Sequence, residues 1–258
     1  KMKAFLLKLQ RTEEGRAQGG FGYNDDGPGA DLSNAQFAIE ALRAAGIPED
    51  HPAMQKALKF LERAQNRSEN EENKDARWVV EDEKLGKVTV VPGNDGSGTY
   101  EAGVSKAGLQ KLPDGTYVAR GYGSMTYALL KCYALTGLKP EDERVKAAVA
   151  WIGKNYTWDE NPGFRPSVAE GAPKEAPYWG LFYYYMSAAK ALNALKVDKL
   201  DTPEGARDWR ADLGTAILSR QQEDGSWRND QSPRWEEGDP LLPTAYALIT
   251  LHEIVPAK

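Results

Sequence analysis

The sequence predicts an all-α fold, an α/α barrel in which outer helices wrap inner ones. Three observations carry that expectation. Segments 35–45, 127–135 and 244–255 are apolar nearly all round, the mark of a helix buried on every side. Other segments carry a single apolar stripe at spacings of three and four, the mark of a helix with one face in water. The two kinds alternate along the chain, so successive helices run antiparallel and outer-to-inner connections gather on one face.

The elements follow in order. Phe5, Leu6 and Leu9 read as the last turns of an amphipathic helix. Residues 31–45 form the first inner helix. The stripe of Met54, Ala57, Leu58, Leu61 and Ala64 gives an outer helix over 52–65. Residues 121–137 are the second inner helix, and Val145, Ala148, Val149 and Ile152 place an outer helix over 142–155. Residues 178–196 are the third inner helix. Trp209, Leu213, Ala216 and Ile217 place an outer helix over 206–222, and 241–255 is the last inner helix. All belong to one domain, 1–258. The connections at about 20–30, 66–120, 157–177 and 225–240 are long, and long loops on a rigid scaffold are where function sits.

Residues 66–120 read as an insertion. Ser68 to Asp75 is a charged, solvated stretch. Trp78-Val79-Val80 and Val88 to Val91 form a small β-hairpin around Leu85-Gly86, placed to act as a lid or as decoration. The glycine-rich run from Pro92 to Gly103 is expected to be mobile. Lys1 ahead of Met2 reads as a processed or trimmed start, compatible with an upstream targeting segment and with helices that complete a larger ring.

Composition narrows function. Lys plus Arg is 33 and Asp plus Glu is 38, giving a net charge of −5, which argues against nucleic acid as a partner. No apolar run reaches the roughly 20 residues of a membrane-spanning helix, so a soluble protein without a transmembrane segment is expected. One cysteine and two histidines leave no set for a metal centre, and no cofactor is expected. Gly96-Ser97-Gly98-Thr99 lacks the lysine end of a phosphate loop. The 25 aromatic side chains crowd the long-loop face and the inner helices.

A glycine followed by an aromatic recurs: Gly20-Phe21, Gly115-Thr116-Tyr117, Gly163-Phe164 and Gly225-Ser226-Trp227. Gln221-Gln222-Glu223-Asp224-Gly225-Ser226-Trp227 resembles the glutamine–tryptophan motif of squalene–hopene and oxidosqualene cyclases. Gln10 with Gly20-Phe21, and Asp114 to Tyr117, are looser copies. Thr244-Ala245-Tyr246-Ala247-Leu248 resembles an inner-helix start of the same family. The resemblance implies an α/α toroid of the terpenoid cyclase and protein prenyltransferase type. The motif's own role reads as structural: glycine allows a tight exit from the outer helix, and the aromatic covers the neighbouring helix edge.

The resemblance also locates what is missing. Where those cyclases carry Asp-x-Asp-Asp, this chain has Asp31-Leu32-Ser33-Asn34. A serine hydroxyl cannot protonate an alkene, so standard cyclisation is expected to be lost. Asp26 and Asp31 remain as candidate acids, and Asp31 also reads as a helix N-cap. Leu130-Lys131-Cys132-Tyr133 resembles a zinc segment of the prenyltransferases with the histidine replaced, so no zinc site is expected. The expected ligand contacts are Tyr23, Asp31, Asn34, Tyr122, Tyr127, Trp179, Tyr183, Trp235 and Tyr246. Of the run Tyr183 to Tyr185, not all three rings can point into one lumen. The expected function is binding, or conversion, of an apolar isoprenoid-type small molecule. Two alternatives stand beside it. One is a carbohydrate-active enzyme using loop carboxylates drawn from Asp25, Asp26, Glu170, Glu236 and Asp239. The other is a non-enzymatic interaction scaffold. A homo-oligomer is compatible with all three.

Overall fold

A computed structural model of the chain describes residues 1–23, 27 and 29–255. It contains the α-helices α1 (Met2–Leu9), α2 (Leu32–Ala44), α3 (Pro52–Arg63), α4 (Gly123–Leu135), α5 (Glu143–Lys154), α6 (Arg165–Ala169), α7 (Leu181–Ala194), α8 (Trp209–Leu218) and α9 (Leu241–Ile254). Side-chain caps fix several starts. Asp31 accepts from Asn34 N at 2.8 Å for α2, and Asp142 from Arg144 N at 2.9 Å for α5. Asp208 accepts from Arg210 N and Ala211 N for α8. Each such cap satisfies backbone donors that the first helical turn leaves unpaired.

Helices α2, α4, α7 and α9 pack side by side in that order. Helix α1 lies on α2, α3 and α5 on α4, and α8 on α9. The all-round apolar pattern is satisfied in α4, where Gly123 to Tyr133 are all buried, and in most of α7. It is not satisfied in α9. Leu241 is 82% exposed, Leu248 56% and Ile249 37%, so 241–255 is a one-sided helix at the end of the row. No described helix covers its far side.

The fold is mixed, not the all-α α/α toroid that the pattern predicts. It is 44% helical and 11% strand, with two sheets. The hairpin of β1 (Trp78–Asp82) and β2 (Gly86–Val90) is present, with Trp78 opposite Val90. Strands β3 (Leu109–Lys111) and β4 (Tyr117–Ala119) extend it into a mixed sheet of order β1-β2-β4-β3, in which β2 and β4 run parallel. A second ribbon, β5 (Leu200–Thr202) and β6 (Gly205–Arg207), precedes α8 and delays its start to Trp209. Strands of three residues show too few alternations to be read from periodicity, and these three-residue strands overturn the all-α expectation.

The insertion is tied to the helices, and its glycine-rich run is pinned. Asn66 N donates to Ser97 O, Gly96 N to Asn66 O, and Thr99 N to Ala64 O, each at 2.8 Å. Ser97 and Thr99 are buried. The charged stretch is partly buried too, because Asn70 and Asn73 turn inward to the carbonyls that end α3. The two glycine–aromatic copies that resemble one another most closely have different jobs. Trp227 is buried, and its ring N–H donates to Ile217 O at 2.9 Å, closing the exit of α8. Asp114-Gly115-Thr116 instead makes the turn between β3 and β4. No helix among the described residues is long and apolar enough to cross a membrane.

Candidate functional site

The N-terminal ends of α2, α4 and α7, with Tyr246 of α9, meet around a chamber of about 490 Å³. Helix α2 contributes Ser33, Asn34 and Phe37, which recur on one face at spacings of three and four. Tyr122, Ser124 and Met125 come from the start of α4. That start is set by Asn161, whose side-chain oxygen accepts from Ser124 N at 3.0 Å and whose amide donates to Ser124 Oγ and to Trp179 O, both at 3.1 Å. Tyr100 and Lys106 reach in from the insertion, with Lys106 Nζ 4.3 Å from the Tyr100 ring centre. Strands β1 and β2 do not line the chamber, so the hairpin is not its lid.

Tyr183 stands at the centre of this wall. Its hydroxyl lies 2.9 Å from Ser33 Oγ and also meets the buried Gln36 amide. Ser33 thus helps hold the Tyr183 phenol in place. Burial raises the Tyr100, Tyr122, Tyr183 and Tyr246 hydroxyls above the ordinary phenol range. These rings are uncharged at any working pH and serve as apolar surface with a hydrogen-bonding tip.

The fourth connection closes the chamber with Trp235 and Glu237. Glu237 is buried, and its carboxylate accepts from Tyr183 N at 2.9 Å and Asn229 Nδ2 at 2.8 Å. It therefore caps α7 from 54 residues away in sequence. Burial pushes its carboxyl up to about 7, against the lowering effect of those donors. Trp235 and Glu236 both hold left-handed backbone, φ 59° and 64°. For non-glycine residues that costs on the order of 1–2 kcal/mol each. The strain is held by neighbours: the Trp235 ring meets Trp179 edge-on at 6.0 Å, and the Arg234 guanidinium lies 4.0 Å over Trp179. Gly180, φ 62°, lies under this loop, where a Cβ would come within 3.0 Å of the Trp235 ring. A left-handed backbone and a close approach both require glycine there.

Of the residues expected from sequence, Tyr23, Asn34, Tyr122, Tyr183, Trp235 and Tyr246 line the chamber together. Asp31 lies one layer behind, its carboxylate accepting from Asn34 N at 2.8 Å and Asn34 Nδ2 at 2.7 Å. Trp179 backs the wall, packed on Phe164 and Trp235. Tyr127 is in the core, stacked with Trp158 and against Tyr184. Tyr184 and Tyr185 also turn into the core, leaving Tyr183 to the chamber. Asp25 and Asp26 lie outside the described residues. Sequence reasoning missed Phe37, which follows Ser33 by one turn, and Tyr100 and Lys106, which lie in the insertion. It also left Glu237 unsingled among the neighbouring acids.

Two of the loop carboxylates have partners, and Glu236 is exposed. Glu170 pairs with Arg120, and Asp239 accepts from Leu241 N at the start of α9. Cys132 is buried mid-helix, with burial raising its thiol to about 12. Among the described residues no three His, Cys, Asp or Glu side chains converge as a metal site would require. Compared with known proteins, the chain matches no family model, no curated protein and no solved structure.

Proposed function

We propose that the chain is a squalene-cyclase-like protein that binds an apolar isoprenoid-type ligand in this chamber, with the standard protonation step lost. One observation carries the reading. Seven aromatic rings, Tyr23, Phe37, Tyr100, Tyr122, Tyr183, Trp235 and Tyr246, surround about 490 Å³. Ligand sites of this size are lined mainly by apolar and aromatic surface, with a few placed polar groups. Here those groups are Ser33, Asn34, Ser124, Lys106 and Glu237. Among the described residues the chamber is lined by a single carboxylate, whereas hydrolysis of a glycosidic bond uses two.

The experiment has two arms. Farnesol should bind saturably and quench tryptophan fluorescence, because Trp235 lines the chamber. Squalene incubated with the protein should yield no cyclised triterpene, because Ser33 cannot protonate an alkene. Absence of saturable farnesol binding would overturn the binding reading. Enzyme-dependent cyclised product would overturn the loss of chemistry.

A further inference from the structure

A second cavity, about 500 Å³, lies between α1 and α2. Its walls are Phe5, Leu6 and Leu9 of α1 and Phe37, Ala38 and Ala41 of α2. Among the described residues no charged side chain lines it. Tyr23, Asn34 and Phe37 line both this groove and the aromatic chamber, so the two spaces adjoin. The junction offers little polarity. The Asn34 amide donates to Asp31 Oδ2 at 2.7 Å. The two spaces differ in chemistry. The chamber holds the hydroxyls of Ser33, Ser124 and Tyr183 beside one ammonium and one carboxyl group, whereas the described lining of the groove is mainly hydrocarbon.

We infer that the α1–α2 groove receives the tail of the same ligand whose polar end occupies the chamber, which makes the ligand class a long-chain isoprenoid alcohol. The inference rests on the chamber reading and extends it. A hydroxyl head both donates and accepts, matching serine and tyrosine hydroxyls. The tail leaves past Phe37 and covers Phe5, which is 58% exposed, and Phe37, 42% exposed. An apolar groove that opens onto a ligand chamber is stabilised by each methylene it removes from water.

The test compares binding of geraniol, farnesol and geranylgeraniol by equilibrium partition of the radiolabelled alcohols. The native protein should bind the twenty-carbon alcohol at least tenfold more tightly than the ten-carbon one. Ala41 is exposed on α2 and faces the groove, so substitutions there leave the core alone. Ala41→Trp fills the groove and Ala41→Glu charges it. Both should abolish the long-chain advantage while changing geraniol affinity less than twofold. Equal affinity for all three alcohols, or a long-chain advantage that survives both substitutions, would overturn the groove assignment and leave the chamber reading standing. Failure of all three alcohols to bind would overturn both. A light-scattering mass is measured on each variant. A change of mass with no change in long-chain affinity would show that the groove joins copies of the chain and would also overturn the assignment.

Discussion

Replacing Tyr127 by alanine is expected to destabilise the protein by about 3–5 kcal/mol, the range for removing a large aromatic from a core. The ring is 1% exposed. It stacks with Trp158 at 6.3 Å and meets Tyr184 at 5.6 Å, and those rings pack in turn on Tyr185. Removal opens a void at the centre of an aromatic cluster whose members cannot easily collapse into it. Tyr127→Phe keeps the ring and should cost far less. Urea unfolding measures both. The comparison also separates core from site: Tyr127→Phe should leave farnesol affinity unchanged. A Tyr127→Ala protein as stable as the native one would contradict the packing described here.

The second large effect is a dependence of stability on pH that Glu237 controls. Its carboxyl titrates near 4.5 in an ordinary setting and is pushed up to about 7 in the fold by burial. Below about 4.5 it is protonated in both folded and unfolded chains, and burial carries no ionisation penalty. As pH rises toward 7 the unfolded chain sheds the proton while the folded chain retains it. Stability is therefore lost with rising pH through that window and levels off above the folded value. The full difference is on the order of 3 kcal/mol. Glu237→Gln cannot ionise and keeps an oxygen for Tyr183 N, although it gives up the bond from Asn229. Relative to this variant, the native protein should lose stability between about pH 4.5 and pH 7. The check is urea unfolding of both proteins at each pH, so that all other titrating groups cancel. A constant difference between them would contradict the raised carboxyl.

Much of the helical frame is legible from the residues, and the reasons are local. Helix α4 is apolar on every side because neighbours cover it on every side. Helices α3 and α5 carry one stripe because one face is in water. Helix α9 shows where that logic stops. Its composition matches the buried helices, yet Leu241, Leu248 and Ile249 are exposed. Periodicity reports what a helix would bury, and which neighbours it finds depends on its place in the row. The Asp-Gly-Ser/Thr turns show a different limit. Asp224 Oδ1 accepts from Ser226 N at 3.0 Å, and Asp114 Oδ1 accepts from Thr116 N at 3.0 Å. The local hydrogen bonding is the same, one turn leaving a helix and the other joining two strands, so the motif identifies a turn and not its setting.

The chamber divides in the same way. Tyr122, Tyr183, Trp235 and Tyr246 are legible as neighbours because they sit in or beside the starts of α4, α7 and α9, where long connections end. Tyr127 packs in the core instead, because its helix is buried all round and sequence does not say which side faces a cavity. Tyr100 and Lys106 were hidden because the insertion folds back over α2, where Leu32 N donates to Tyr100 O at 2.8 Å. Nothing within 60 residues of Ser33 in the chain signals that contact except the structure itself, since the approach is long-range.

The most direct test of the central claim is photocrosslinking with a diazirine-bearing farnesol analogue, read by mass spectrometry of the labelled peptides. Labelling should fall on peptides that carry the lining residues Phe37, Tyr100, Tyr122, Tyr183, Trp235 and Tyr246, and excess farnesol should suppress it. Labelling confined to the outer helices α5 and α8, or labelling that farnesol does not suppress, would contradict the chamber as the isoprenoid site.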